Sequence, residues 1–283
     1  MRIRATVAAV CGALALTALA GPAAQAAGSA PATGTGGTPY TLNVGFSNFK
    51  IASTVKVGTY YKVSTTVTYT LTHGADVNIA AKDFYTDPFI YRGSFDNPTK
   101  EFYGDNPATC TATSSTTATC KGTIDFYPAD GDLRSADAGS WTAAAEAIAF
   151  NGQNPANPAD MSKIGYKDQD HLGSTMLQRY SKLTADASPE PVKKGATITV
   201  TGTLTRASWD YLKYYGYAGQ SVKLQFRKAG TSTYTTLKTV TTDSSGRLKA
   251  TVTASADGYF RYSFGGTSTT APVSATGDYV DVR

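Results

Sequence analysis

Between Val63 and Leu71 the chain alternates with a period of two. Val63, Thr65, Val67, Tyr69 and Leu71 interleave with Ser64, Thr66, Thr68 and Thr70. That period puts one set of side chains on a buried face and the other in water, as a strand does and a helix cannot. The same pattern recurs through Ile198, Val200 and Leu204, through Val222, Leu224 and Phe226, and through Leu248, Ala250 and Val252. Turn signals at His73-Gly74, Lys194-Gly195 and Asp243-Ser-Ser-Gly246 separate these runs, and the last reads as a hairpin turn. Only Trp141 to Phe150, with its alanine-rich centre, has helical propensity; its place behind a turn segment predicts a strand. Many short strands at regular spacing predict an antiparallel sandwich.

Two segments look alike and set the number of domains. Ala136-Asp137-Ala-Gly139-Ser-Trp141 and Ala256-Asp257-Gly258-Tyr259-Phe-Arg-Tyr262 each place Asp and Gly ahead of an aromatic residue and an apolar strand. An Asp-x-Gly-x-aromatic segment turns the corner into the penultimate strand of an immunoglobulin-like sandwich. At roughly 100 residues per sandwich, two in tandem account for a chain of 283. The predicted fold class is all-β: two tandem immunoglobulin-like antiparallel β-sandwiches after a signal peptide. The predicted organisation is a signal peptide at 1–26, a flexible leader at 27–39, a sandwich at 40–182 and a second at 183–283. The first sandwich carries one disulfide and a long loop at 151–173, where Pro and Asn cluster. The boundary falls near Ser181 to Ala185 because Ser174 to Leu183 is strand-like, without Gly or Pro.

The start of the chain predicts export. Arg2 and Arg4 precede an apolar stretch from Val7 to Ala20, and Ala24-Gln25-Ala26 supplies the small residues of a cleavage site. The apolar stretch is shorter than the roughly 20 residues a span requires, so no membrane span is expected in the mature chain. Once Cys11 leaves with the leader, Cys110 and Cys120 remain, and an even pair in an exported protein reads as a disulfide. The Thr- and Ser-rich segment between them is suited to a hairpin, and closing it stabilises the fold by roughly 2.5 to 3 kcal/mol.

Composition excludes several function classes. Charged residues are 17% of the chain, with 26 Lys+Arg against 21 Asp+Glu, a net charge of +5. No basic cluster is present to neutralise a row of phosphates, so no nucleic acid is expected as a partner. Without Arg2 and Arg4 the charge falls to +3, too weak to predict an electrostatic partner. Eighteen Tyr and eleven Phe argue against disorder beyond the leader. With two His and no G-x-S-x-G, H-E-x-x-H or phosphate-binding loop, the chain is read as not an enzyme.

From Lys182 to Arg283 a resemblance becomes specific. Pro191-Val-Lys-Lys-Gly195 through Leu204, Gly219-Gln-Ser-Val-Lys-Leu-Gln-Phe-Arg227, Thr242-Asp-Ser-Ser-Gly-Arg-Leu-Lys-Ala-Thr-Val252 and Tyr259-Phe-Arg-Tyr262 resemble, in that order, bacterial Ig-like domains of secreted proteins. The whole chain is similar to two-domain secreted Ig-like proteins of high-GC Gram-positive bacteria. Met1-Arg-Ile-Arg, Phe46-Ser-Asn-Phe49, Tyr85-Thr-Asp-Pro88 through Tyr91-Arg-Gly93 and Cys120-Lys-Gly-Thr-Ile124 carry that likeness. It implies an Ig-like fold and export, and suggests calcium, since some members carry a calcium-binding label; it implies no catalytic residue.

Calcium needs six to eight oxygens converging from loops. Asp130-Gly-Asp132 with Asp137 is the first candidate metal site; Asp83, Asp87, Asp96 and Asp105 form a looser group, and Asp168 and Asp170 a third. None reproduces the EF-hand pattern, and Asp in turns also bonds local backbone. The candidate ligand-binding residues are aromatic: Trp209, Tyr211, Tyr214, Tyr215 and Tyr217 lie in a segment expected to connect two core strands. Such rings either stack on sugars and anchor protein partners, or pack as a cap on their own sandwich. The function expected is an exported, non-catalytic binding or structural protein acting outside the cell on a wall glycan or protein partner. It would act through loops at one end of the second domain, without a cofactor. A calcium-binding structural module and an unrecognised secreted hydrolase are the alternatives.

Overall fold

The computed structural model describes residues 36–283; the signal peptide expected at 1–26, and most of the leader expected at 27–39, lie outside the described residues. The strands are β1 (Tyr40–Thr41), β2 (Val44–Ile51), β3 (Thr54–Val57), β4 (Val63–His73), β5 (Phe84–Ser94), β6 (Asn97–Tyr103), β7 (Thr109–Ala112), β8 (Thr117–Phe126), β9 (Gly139–Ala149) and β10 (Gly165–Arg179). They continue as β11 (Ser181–Leu183), β12 (Asp186–Ser188), β13 (Thr197–Ser208), β14 (Lys213–Gly216), β15 (Ser221–Lys228), β16 (Thr235–Thr241), β17 (Arg247–Thr253), β18 (Gly258–Phe264), β19 (Val273–Ser274) and β20 (Asp278–Val280). Among the described residues there is no α-helix, and none long and apolar enough to cross a membrane. The chain forms two compact units: 36–52 with 64–125 and 141–175, and 53–63 with 126–140 and 176–283.

In the first unit one sheet runs β2-β4-β8-β7 and the other β10-β9-β5-β6. This is the A-B-E-D against G-F-C-C′ order of an immunoglobulin domain. Val67, Tyr69 and Leu71 of β4 are buried, as their alternation predicts. The buried Tyr69 hydroxyl meets Thr86 Oγ1 of β5 at 2.9 Å. Trp141 to Phe150 is strand as expected, because alanine serves both faces of β9. Ala143, Ala145 and Ala147 are fully buried on one side, and Ala144 packs under Phe89 and Tyr91 on the other. Cys110 and Cys120 face each other across β7 and β8 and form the disulfide, Cα atoms 4.0 Å apart. The loop expected over 151–173 ends earlier, since β10 begins at Gly165. Its polar residues are held by pairing with β1 and by Gln169, which bonds both backbone groups of Phe46 at 3.0 and 2.9 Å.

The second unit repeats the architecture. β12-β13-β17 forms one sheet and β16-β15-β18 the other, extended by β19 and β20 on β18. Val200, Leu204, Val222, Leu224, Leu248, Phe260 and Tyr262 fill the space between them. The Tyr262 hydroxyl crosses the sandwich to donate to the Val200 carbonyl at 2.8 Å. The corner segments lead into β9, the penultimate strand of the first unit, and into β18, on which the last two short strands pair. Gly258 is required at its corner: a Cβ there would lie 2.4 Å from the Arg227 carbonyl oxygen and from the Phe226 ring.

Candidate functional site

The aromatic segment singled out in the sequence forms the β13–β14 hairpin of the second unit, with Trp209 to Leu212 at its tip. Leu212 holds the turn at φ 54°. The five aromatic residues separate into two kinds. Trp209 is only 2% exposed, and its indole N–H donates to the Val57 carbonyl at 3.3 Å while its backbone N–H donates to Ser135 Oγ at 3.2 Å. A large apolar ring whose polar edge has found an acceptor is a packing element. Trp209 therefore offers no face to a ligand, a correction to its place among the binding residues. Tyr217 also turns inward, edge-on to Phe264 and covered by the Arg206 guanidinium at 3.8 Å. Tyr211 and Tyr215 are 70% and 48% exposed and pack edge to face, centroids 5.9 Å apart. Tyr214 is half-buried under Lys182, whose Nζ lies 3.9 Å from its ring centroid.

The structure adds three tyrosines that the sequence did not single out. Tyr180 donates its backbone N–H to the Val57 carbonyl at 2.8 Å, and its own carbonyl accepts from Ala207, the cross-strand partner of Tyr214. Burial raises the Tyr214 pKa, and the neighbouring Tyr180 adds to that rise. The Tyr214 hydroxyl sits against Gly58, which opens the turn carrying Tyr60 and Tyr61. Those two rings are 68% and 80% exposed and meet edge to face at 5.3 Å. Val57 is thus the point where three chain segments meet, each bearing exposed tyrosines. The only sequence signal for the third segment is a Tyr-Tyr pair in a turn composition, Gly58-Thr-Tyr-Tyr-Lys62.

Two of the three candidate metal ligands lie in short turns. Asp137 Oδ2 accepts the Arg134 backbone N–H at 2.7 Å, closing the turn it belongs to. Asp130 sits in the preceding turn at Pro128–Asp130. Among the described residues, no three His, Cys, Asp or Glu side chains are placed to share a metal ion. Short-range bonding of Asp to turn backbone accounts for Asp137.

Carboxylates do gather elsewhere in the first unit. Asp87 of β5 stands directly opposite Glu146 of β9 in the ladder, and like charges at that position repel. Burial pushes the Glu146 carboxyl up to about 7, with Asp87, Glu101 and Asp168 adding to the rise against a 2.9 Å hydrogen bond from the Tyr166 hydroxyl. Beside them the Tyr91 hydroxyl donates to Asp170, and Phe89 stacks on Tyr103 at 4.9 Å. Asp87 comes from one sequence group and Asp168 and Asp170 from another; register brings them together. A carboxyl titrating near neutrality suits proton transfer, but catalysis also needs a cleft and an aligned nucleophile.

No family model matches the chain, and no curated protein matches it. Among solved structures it is similar to a titin I-band fragment at 11% identity, covering 85% of this chain and 65% of that one, with a TM-score of 0.30. It is similar to the Escherichia coli adhesin FdeC at 16% identity, 87% and 66% coverage and a TM-score of 0.29. The D0-D1 domain of intimin aligns at 14% identity over 83% of this chain and 98% of that one, TM-score 0.24. The chain spans slightly less than two thirds of the titin and FdeC structures. The Ig-like assignment rests on strand order within each unit, and these alignments carry no argument beyond it.

Proposed function

We propose that this is an exported, non-catalytic Ig-like protein that binds a wall glycan or a protein partner outside the cell. The observation that carries the reading is the set of exposed tyrosines on three chain segments that meet at Val57. Tyr60, Tyr61, Tyr180, Tyr211 and Tyr215 are each 45% exposed or more. Such rings are costly to leave in water unless a partner covers them. Tyrosine suits a recognition surface because it brings a large apolar face, a hydroxyl and few rotatable bonds. The arrangement supports binding over catalysis, since the rings have no activated nucleophile among them. The leader, disulfide and Thr-rich surface support an extracellular location. The test is retention on immobilised cell-wall glycan and on wall-protein extract, comparing the full chain with a Tyr60→Ala, Tyr61→Ala, Tyr211→Ala, Tyr215→Ala variant. Retention by one matrix that falls at least about tenfold in the variant supports the reading, because losing several contact rings should cost more than about 1.4 kcal/mol. Equal retention of both proteins would refute it.

A further inference from the structure

The outward face of the β15–β18 sheet in the second unit has a chemistry unlike the tyrosine surface. β15, β16 and β18 are hydrogen-bonded neighbours, and none of the three contains Asp or Glu. Lys223, Gln225 and Arg227 alternate along β15 opposite Ser263, Arg261 and Tyr259 of β18. Tyr279 of β20 continues the row, paired with Tyr259 at a centroid distance of 5.1 Å. Tyr234, from the connection between β15 and β16, folds back over this face. Its ring lies 3.7 Å from the Arg261 guanidinium carbon and 5.3 Å from that of Arg227, which also stacks on Tyr259 at 4.0 Å. Gly277 admits the Tyr234 hydroxyl, since a Cβ there would lie 2.2 Å from it.

The two guanidiniums are fixed but not neutralised. Arg261 Nε donates to Gln225 Oε1 at 2.9 Å and Arg227 Nη1 donates to the Thr231 carbonyl at 2.6 Å, both uncharged acceptors. Among the described residues, no carboxylate forms an ion pair with Lys223, Arg227 or Arg261. A guanidinium pre-positioned by stacking still has N–H edges for an anion and loses little entropy on binding it. The neighbouring Tyr259 and Tyr279 offer ring faces at the spacing of adjacent strands, and Thr236, Thr239, Ser263 and Ser274 offer hydroxyls. Asp257 and Asp281 stand near Tyr279 at one end of the row, so the cationic stretch is that of Lys223, Arg227 and Arg261, where cations, an aromatic face and neutral hydroxyls match a chain of sugar rings carrying carboxylate or sulfate groups.

We infer that the β15–β18 face is a binding site for an anionic polysaccharide, distinct from the tyrosine surface at Val57. The acid groups would meet Lys223, Arg227 and Arg261, with sugar faces on Tyr259 and Tyr279. The experiment uses the full chain on immobilised polygalacturonate and dextran sulfate, with neutral dextran and duplex DNA as controls. Expected is binding to at least one anionic polysaccharide that weakens about tenfold from about 50 to 200 mM salt as screening shortens the reach of the charges. Lys223→Gln, which leaves the Arg–Tyr stack intact, should weaken it about threefold and an Arg227→Gln, Arg261→Gln variant at least tenfold. Melting temperature is the control, and Lys223→Gln keeps the test decisive should the double variant unfold. No binding to either anionic polysaccharide at about 50 mM salt, equal binding to neutral dextran, binding to duplex DNA as tight as to the polysaccharides, or full binding by Lys223→Gln would each overturn the inference. The four-tyrosine variant should bind polygalacturonate or dextran sulfate like the unaltered chain, so failure of one surface is distinguishable from failure of the other.

Discussion

Replacing Glu146 with Gln should remove a pH dependence that the first unit otherwise shows near neutrality. Glu146 is half-buried on β9 with Asp87 directly opposite, and burial with those neighbouring carboxylates lifts its pKa from the ordinary 4.5 to about 7. An acid whose folded pKa is raised holds its proton more tightly in the folded state than in the unfolded one. Stability is therefore greatest below about pH 4.5 as far as this group is concerned, and falls as pH rises through about 7. At about 1.4 kcal/mol per tenfold change in proton affinity, the full loss is roughly 3 kcal/mol. For a unit of this size that is about 9 to 15 °C of melting temperature. Burial also raises the Glu101 pKa, which adds a smaller loss of the same sign. Asp160, Asp210 and Asp243 are held below the ordinary carboxylate range by hydrogen bonds, chiefly from Ser162, Ser135 and Arg247 respectively. Their contributions are lost only in strong acid, outside this window. Calorimetry at about pH 5.5 and about pH 8.5 should show the first unit melting lower at the higher pH, by the roughly 2 kcal/mol of that loss that falls between them. Glu146→Gln should keep the unit near its low-pH stability at both. A wild-type transition with no fall over that window, or a Gln variant with the same fall, would refute the placement of Glu146 in a buried position beside other carboxylates.

Three other outcomes follow from single contacts. Trp209→Ala should destabilise the second unit by about 3 kcal/mol or more, whereas Tyr211→Ala, at an exposed ring, should cost within about half a kcal/mol; comparing their thermal melts checks the division between packing and surface rings. Cys110→Ser should lower the first unit's melting transition by the roughly 2 to 3 kcal/mol of a short cross-strand loop and leave the second transition in place. Ellman's reagent should find no free thiol at Cys110 or Cys120 in the folded chain. Tyr262→Phe removes the hydroxyl that donates to the Val200 carbonyl, so urea unfolding should show a loss of about 0.5 to 1.5 kcal/mol in the second unit.

The sandwich was legible where side-chain period and backbone period coincide. Val67, Tyr69 and Leu71 are inside because their alternation allows nothing else once the strand forms, and Gly139 and Gly258 mark the entries to β9 and β18 as the corner pattern predicts. Legibility failed where partners come from far along the chain. The pocket that buries Trp209 is completed by Val57, 152 residues away, so the segment alone leaves both packing and exposure open. Tyr60 and Tyr61 come to the same place through that strand. The start of β10 is hidden because Lys167, Asp168, Gln169 and Asp170 look like loop residues, and only the bonds from Gln169 to Phe46 and from the Tyr91 hydroxyl to Asp170 show what holds them. The Asp130, Asp132 and Asp137 grouping rests on closeness in sequence, which does not by itself bring side chains together in space.

Charge illustrates the same distinction at a larger scale. A net charge of +5 spread over 283 residues predicts no electrostatic partner, because an average says nothing about which charges share a face. A ligand lying on a sheet feels mainly the groups within a Debye length, about 8 Å at physiological salt, which is less than two strand spacings. On β15, β16 and β18 those groups include Lys223, Arg227 and Arg261 with no carboxylate contributed by the three strands. Across β5 and β9 they are Asp87 and Glu146, opposite each other in register. Period two predicts that Arg227 and Asp87 point away from their neighbours in sequence; which side chains they then stand beside depends on strand pairing. The weak overall charge of this protein is therefore compatible with strong local fields, and binding to an anionic chain is governed by the arginine–tyrosine row rather than by the total.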